Sequence, residues 1–134
     1  MSPRQTNNQP IRPGHRRAAG TALEQLAARW LSARGLQLIE CNYHCRLGEI
    51  DLVMRDSGTL VFVEVRYRSH NSFMNPVTSV DVRKQRKLVR AATVYLQHHG
   101  LTDQAPCRFD ILGIHRRAED RSLHFDWIVN AISG

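Results

Sequence analysis

Two segments decide the fold of this chain: Gly48-Glu49-Ile50-Asp51-Leu52-Val53 and Phe62-Val63-Glu64-Val65-Arg66. Both are rich in β-branched and apolar residues, which favours two neighbouring β-strands. The residues Asp56-Ser57-Gly58 between them predict a tight turn. Each strand nevertheless carries one acid, Asp51 or Glu64, although acids disfavour strands and resist burial without a partner. The pattern therefore predicts a hairpin that holds two acids in need of an explanation.

The spacing of this hairpin predicts where the two acids lie. With a loop over Asp56–Thr59, Asp51 faces Glu64 directly and Glu49 faces Arg66. A loop longer or shorter by two residues leaves the acids as diagonal neighbours, whereas an odd change places them on opposite faces. Facing side chains have β-carbons roughly 5 Å apart, where two like charges are destabilising. A magnesium ion would relieve the repulsion; the alternative is an ordinary surface network in which basic residues pair with the acids.

The rest of the chain predicts an α/β domain with a mixed sheet flanked by helices, in the order αβββαββ. A capping box of Thr21 and Glu24 opens the first helix, which Gly35 ends. The other predicted elements are strands over 36–44, 48–54 and 60–67, a loop over 71–77, a helix over 79–98, and strands over 108–115 and 123–132. Residues 20–134 are predicted to form one domain.

The charge of the chain favours a polyanionic partner. Nineteen Lys and Arg against 12 acidic residues give a net charge of +7 over 134 residues, and neutralising phosphates releases condensed counterions. An anionic membrane would attract the same charge, and many basic proteins bind neither. Residues 1–19 contain several arginines but no apolar run typical of a signal peptide. They are predicted to be a disordered basic arm, either one that contacts phosphates or an inert tail.

The cysteines predict a reducing compartment. An odd number of them, Cys41, Cys45 and Cys107, in a chain without a secretory signal does not suit a disulfide framework. A zinc site around Cys41, His44 and Cys45 is the weaker alternative, because the paired spacing of structural zinc sites is missing. No apolar run is long enough to span a bilayer. We therefore expect a cytoplasmic protein without a membrane partner.

Taken together, the motifs resemble the YraN family of bacterial proteins. The resemblance runs from about residue 20 to residue 132 and rests on Glu24, Gly48–Asp51, Phe62–Arg66, Lys84, Arg108–Asp110 and Asn130–Ala131. This family is similar to the restriction-endonuclease-like superfamily, which includes archaeal Holliday-junction resolvases. The resemblance implies a restriction-endonuclease-like fold and a nuclease that acts on structured or branched nucleic acid, DNA ahead of RNA. By analogy with the resolvases it also implies a homodimer.

The superfamily motif has an acid in the first helix, an Asp on one strand and Glu-x-Lys on the next. Carried over, it implies Glu24, Asp51, Glu64 and position 66 as catalytic positions, with Asp51 and Glu64 as ligands of Mg²⁺ or Mn²⁺. The capping box alone also explains Glu24. Position 66 departs from the motif because it is Arg, which keeps its proton and cannot act as a general base. Arg66 replaces the lysine electrostatically, another lysine has taken its role, or catalysis is lost.

Lys84 is the candidate for a relocated lysine. It continues the apolar stripe of the second long helix towards the sheet, so we hypothesise that its ammonium group reaches the carboxylates or a substrate phosphate. The alternative is a lysine whose stem covers the end of the stripe while its charge stays in water.

Two basic clusters flank the predicted acid site. The predicted nucleic-acid-binding residues are Arg66 and Arg68 from the third strand, and Arg83, Lys84 and Lys87 from the helix. A charged helix face is usually only a solvated one. Because neither cluster has a base-reading motif, we expect backbone or shape recognition. The leading hypothesis is a divalent-metal-dependent endonuclease, and the alternative is a non-catalytic nucleic-acid-binding module on the same fold. A basic protein-binding adaptor would leave the two strand acids unexplained.

Overall fold

The structure, a computed structural model, describes residues 21–68, 80–101 and 105–132. Its helices and strands follow the predicted order αβββαββ and confirm an α/β fold with a mixed sheet flanked by helices. The elements are α1 (Ala22–Ser32), β1 (Gln37–Cys45), β2 (Gly48–Asp56), β3 (Thr59–Arg68), α2 (Val82–His98), β4 (Cys107–Arg116) and β5 (Leu123–Ile132). The predicted arm over 1–19 and the predicted loop over 71–77 lie outside the described residues. No helix in the described ranges is both long and apolar enough to cross a membrane.

The helix starts follow from their capping residues. Thr21 Oγ1 accepts the backbone N–H of Glu24 at 3.2 Å, and Glu24 Oε1 accepts the N–H of Thr21 at 3.1 Å, which confirms the predicted capping box. The predicted second helix is confirmed, but it begins at Val82 and not near residue 79. Its cap is Asp81, whose carboxylate accepts the N–H of Lys84 at 2.9 Å, so the helix begins at Val82.

The sheet has the strand order β1-β2-β3-β4-β5. Strands β3 and β4 are parallel and α2 connects them, while the other neighbouring pairs are antiparallel. The hairpin register is the predicted one, since Asp56 pairs with Thr59 and Leu52 with Val63. The turn between β2 and β3 consists of Ser57 and Gly58.

Each face of the sheet packs against one helix. On one face α2 contributes Leu88, Ala91, Ala92 and Tyr95 to a cluster with Tyr43, Ile50, Val53, Phe62 and Phe109. On the other face α1 contributes Ala27, Ala28 and Leu31 to a cluster with Cys41, Leu52, Met54, Val61, Val63 and Leu112. The two helices therefore enclose the strands that carry the acids.

The regular alternation of faces breaks where β1 passes Asp51. Cys41 packs on the α1 side and Tyr43 on the α2 side, although strict alternation would give them the same face. Asn42 lies between them and has a φ of 54°. On β2, Leu52 pairs with Cys41 and packs on the α1 side, whereas Ile50 pairs with Tyr43 and packs on the α2 side. The recorded pairing of β2 with β3 also stops at Leu52–Val63, next to Asp51. Asp51 thus lies at a local distortion of the sheet.

Candidate functional site

Asp51 occupies the gap that the interrupted ladder leaves. Its Oδ2 accepts the backbone N–H of Val65 at 2.8 Å, in place of a backbone carbonyl from β2. Burial raises the pKa of the Asp51 carboxyl, and the nearby carboxyl of Glu24 raises it further, while the bond from Val65 and the charge of Lys84 lower it. The carboxyl is therefore held in a setting that disfavours its own negative charge.

Glu64 is the second acid and is only 4% exposed. Lys84 Nζ lies 3.1 Å from Glu64 Oε2, and Arg66 Nη1 lies 3.8 Å from the same oxygen. Burial raises the pKa of Glu64, the charge of Asp51 raises it further, and Lys84 and Arg66 lower it. The two acids are therefore close enough for the charge of Asp51 to act on Glu64, although the β2–β3 pairing ends one position before them. Two cations only partly offset the repulsion.

Glu24 joins this pair from α1. Its Oε1 accepts two hydrogen bonds, from the capping-box N–H of Thr21 at 3.1 Å and from Asn42 Nδ2 at 2.7 Å. The same carboxyl lies close enough to Asp51 to influence its protonation. Glu24 is thus both a capping residue and a neighbour of the acid pair, so the two readings of this residue do not exclude each other.

Lys84 has the placement that the helix spacing predicted. It lies one turn before Leu88 on α2 and points to the sheet, where its ammonium group meets Glu64. Arg66 also stays near Glu64 but at the longer distance of 3.8 Å. Glu49 does not face Arg66 as predicted. It pairs with His44 across β1, with Nδ1 and Oε1 3.2 Å apart, because the β2–β3 ladder has already ended at Leu52.

A cleft of about 510 Å³ opens beside Glu64, between the β1–β2 turn and the start of α2. Its lining residues include four cations, Arg46, Arg83, Lys84 and Lys87. Three of them are predicted nucleic-acid-binding residues, whereas Arg66 and Arg68 are not among the lining residues. Four positively charged side chains and the buried acid Glu64 therefore line the same cleft.

The metal-ligand chemistry of the site rests on the two carboxylates. Across the ranges that the structure describes, no group of three or more His, Cys, Asp or Glu side chains is arranged to hold a metal ion. Cys41, Cys45 and Cys107 are free thiols, which gives the zinc alternative no support. Asp51 and Glu64 do offer hard oxygen ligands whose mutual repulsion a cation would relieve, a donor set that suits Mg²⁺ with waters and phosphate oxygens completing its shell.

Asp110 is a buried acid in another part of the sheet, on a different strand from Asp51 and Glu64. Asp110 on β4 is fully buried and accepts hydrogen bonds from Arg108 at 3.0 Å, from Trp127 Nε1 at 3.0 Å and from the N–H of Asn130 at 2.8 Å. Arg108 also binds Asp56 at 3.0 Å. These contacts hold β4 and β5 together around Asp110 and give this acid a structural role.

Comparison with known proteins places this arrangement in a family. The family model described as "Uncharacterised protein family UPF0102" matches residues 23–114. This chain belongs to that family. The match confirms the resemblance to YraN proteins on which the motif assignment was based.

Members of the UPF0102 family from other bacteria are similar along most of the chain. A UPF0102 protein of Stutzerimonas stutzeri is 49% identical over 114 residues, which cover 85% of this chain and 93% of the relative. One of Alcanivorax borkumensis is 46% identical, covering 84% and 89%. One of Nitrosococcus oceani is 50% identical, covering 78% and 84%.

The family match contains the whole acid site but not β5. Glu24, Asp51, Glu64 and Lys84 lie within residues 23–114, whereas Trp127, which binds Asp110, lies beyond them. The site of interest is therefore built within the matched UPF0102 segment.

Sequence reasoning missed three contributors to the site. Asn42 orients Glu24, Val65 supplies a backbone N–H to Asp51, and Arg46 lines the cleft. Only Asn42 and Arg46 had a readable signal. Asn is the residue that most readily adopts positive φ after Gly, and Arg46 precedes a Leu-Gly step typical of a turn.

Proposed function

We propose that this UPF0102 protein is a divalent-metal-dependent nuclease. The observation that carries the proposal is the acid pair of Asp51 and Glu64. Burial and a neighbouring acid raise the pKa of each, and Glu64 lines a cleft that also contains four cations. A structural role would be better served by apolar residues, because burying like charges together costs stability. Strongly perturbed acids in a cleft are typical of functional sites.

The metal in this proposal is Mg²⁺ or Mn²⁺. Asp51 and Glu64 are its protein ligands, and Glu24 assists directly or through a water molecule. The bound ion supplies an activated water and stabilises the charge that develops on the phosphate. Val65 fixes one oxygen of Asp51 through its N–H at 2.8 Å, so the carboxylate is oriented before any ligand arrives.

Lys84 takes the place of the motif lysine in this proposal, with Arg66 as an auxiliary cation. The contact of Lys84 with Glu64 is shorter, at 3.1 Å against 3.8 Å. Lys84 lowers the pKa of Glu64 against the larger rise caused by burial, and so favours the anionic form that binds a metal. Its ammonium group also lies at the cleft, where it can donate to a phosphate oxygen. Arg66 remains charged and stabilises negative charge without accepting a proton.

The proposed substrate is nucleic acid bound through its backbone, DNA ahead of RNA because of the resemblance to junction resolvases. Arg83 and Lys87 line the cleft with Lys84 and would contact phosphates flanking the one that is cleaved. Arg68 would extend this contact along β3. The free cysteines support a cytoplasmic location, and a homodimer is proposed by analogy alone.

One observation favours the alternative, a binding module without catalysis. Arg66 and Lys84 both form ion pairs with Glu64, at 3.8 Å and 3.1 Å, and so partly offset its charge. If these two ion pairs persist when nucleic acid binds, the cations contact phosphates while the acid serves only to hold them in place.

An assay with a matched set of variants separates the two functions. Four-way junctions, flaps, single strands and duplexes are incubated with the protein in Mg²⁺ or Mn²⁺, beside Asp51→Asn and Asp126→Asn. The first variant keeps an oxygen for the Val65 N–H, and the second removes an exposed acid on β5. We expect Asp51→Asn to lower the cleavage rate by at least ~100-fold and Asp126→Asn to leave it unchanged. Binding without cleavage by the unaltered protein would support the module instead.

The role of Lys84 is tested in the same assay. Lys84→Met keeps most of the length of the side chain and removes its charge, while Arg86→Met removes an exposed charge two residues further along α2, on a different side of the helix. We expect the cleavage rate to fall roughly 10–100-fold for Lys84→Met and by less than twofold for Arg86→Met. Equal losses of cleavage rate in both variants would show that Lys84 contributes only to the overall positive charge of the protein and has no specific role at the site.

A further inference from the structure

The β1–β2 turn carries a feature that phosphate binding does not explain. Cys45 pairs with Gly48, so Arg46 and Leu47 alone form the tip of the hairpin. Leu47 is 49% exposed and lines the cleft together with Arg46. A large aliphatic side chain in water between cationic residues has no role in the core of the protein. It is therefore a candidate contact for a ligand.

The turn is held firmly in place. A Cβ atom added to Gly48 would lie 2.8 Å from the carbonyl oxygen of Lys87, so the backbone of the hairpin packs directly on α2 at this point. His44 and Glu49, the pair next to Cys45–Gly48 in the ladder, are joined at 3.2 Å. Leu47 is thus presented on a hairpin whose position relative to α2 is fixed, in the manner of a rigid wedge.

The chemistry around Leu47 identifies the ligand that it suits. Arg46, Arg83 and Lys87 attract phosphates, while Leu47 gains only from covering an apolar surface. In a continuous duplex the base faces are stacked on one another, so such a contact first requires a base step to be unstacked, which costs free energy. At a branch point or an unpaired strand, base faces are open, and apolar side chains that insert between bases are a known means of unstacking them. The combination of charges and Leu47 therefore matches nucleic acid with accessible base faces.

We propose that the Arg46-Leu47 turn is a wedge that packs Leu47 against an open base at a branch or a single-strand junction, while Arg46 binds the adjacent phosphate. The proposal rests on the nucleic-acid binding proposed above, but not on hydrolysis. In this proposal the Arg46-Leu47 turn selects branched substrates. Asp51 and Glu64 form the site that would act on them.

A fluorescence experiment in EDTA tests the wedge separately from cleavage. DNA with 2-aminopurine at the branch of a flap, and a continuous duplex with the same label, are titrated with the full chain, with Leu47→Ser and with Val129→Ser. Val129 is the matched control because it is 50% exposed on β5, outside the cleft lining. We expect the unaltered protein and Val129→Ser to increase the fluorescence of the flap several-fold. Leu47→Ser should abolish most of the increase and bind the flap roughly tenfold more weakly, with duplex affinity within twofold.

The outcomes distinguish the two proposals. Equal fluorescence changes for Leu47→Ser and the unaltered protein, or flap binding without any increase, would overturn the wedge and leave the proposed hydrolysis intact. Absence of cleavage in Mg²⁺ with a Leu47-dependent signal in EDTA would overturn hydrolysis and retain the wedge. An absence of binding to any nucleic acid would overturn both. Arg46→Gln should lower the slope of log affinity against log salt by about one unit, and an unchanged slope would remove Arg46 from the phosphate contact.

Discussion

Asp51 and Asp110 use the same local device in two parts of the sheet. Each carboxylate accepts a backbone N–H from the neighbouring strand at 2.8 Å, from Val65 in one case and from Asn130 in the other. Each also lies beside an Asn with positive φ, Asn42 at 54 and Asn130 at 55. The two acids differ in what surrounds their remaining lone pairs.

Around Asp110 the remaining partners are donors. Arg108 and the indole N–H of Trp127 complete its shell, so its charge is neutralised within the fold. Around Asp51 the neighbours include the acids Glu24 and Glu64, which oppose its charge, and the charge of Lys84 offsets them only in part. The comparison teaches that burial of an acid on a strand does not by itself indicate function. The decisive feature is a set of neighbours that leaves the charge uncompensated.

The largest expected effect is on stability at the compensated site. Asp110→Asn leaves Arg108 without its buried anion and sets an amide N–H₂ among donors, so the free energy of unfolding should fall by about 3 kcal/mol. Asp56→Asn is the matched control, because Asp56 binds the same guanidinium from a more exposed position and should cost under ~1 kcal/mol. Urea denaturation measures both. If Asp110→Asn lowers the free energy of unfolding by no more than the control does, the charge of Asp110 is not neutralised within the fold, and its contrast with Asp51 fails.

Divalent metal should stabilise only the uncompensated site. Mn²⁺ at about 100 times its dissociation constant should raise the free energy of unfolding by roughly 2.7 kcal/mol. Because the raised pKa values of Asp51 and Glu64 make protons compete with the ion, the gain should be greatest at pH 8 and smaller at pH 5.5. Thermal denaturation with and without Mn²⁺ measures this gain, and Asp51→Asn should lose it. A gain that survives in Asp51→Asn would locate the ion elsewhere.

Without metal, neutralising Asp51 should stabilise the protein, in contrast to Asp110. A carboxyl whose pKa is raised by folding contributes stability below its ordinary pKa of about 4, and that contribution is lost as the pH rises through its folded value. Asp51→Asn removes this loss of stability and also removes the negative charge that opposes ionisation of Glu64. We therefore expect a gain of roughly 1–2 kcal/mol at pH 8 that disappears near pH 4. Denaturation curves at both pH values, in EDTA, measure it; a loss at pH 8 would contradict the comparison.

Much of the acid site was predictable because it depends on short-range pattern. The Ser57-Gly58 turn fixes the β2–β3 register up to the pair Leu52–Val63, and this places Asp51 and Glu64 at the adjoining positions, close enough for the charge of Asp51 to act on Glu64. Helical spacing gave the direction of Lys84 in the same way. The interruption at Asn42 was only partly predictable: Asn readily adopts positive φ, but whether it does so within a strand depends on how β1 crosses the two packed faces. The shell of Asp110 was only partly predictable, because Trp127 and Asn130 come from a strand distant in sequence.

The smallest expected effect compares the two asparagines. Asn42→Ala and Asn130→Ala both place a Cβ-bearing residue without a helpful amide at positive φ, and each should cost about 1 kcal/mol of unfolding free energy. Asn42→Gly and Asn130→Gly relieve that strain because glycine adopts positive φ freely. At position 42 glycine still lacks the amide that binds Glu24 at 2.7 Å. Denaturation of the four variants separates backbone strain from this hydrogen bond. The cleavage assay extends the comparison to function. Both changes at position 42 should slow cleavage, because each removes the amide that binds Glu24. Neither change at position 130 should alter the cleavage rate, because Asp110 is bound by the backbone N–H of residue 130, which Ala and Gly retain.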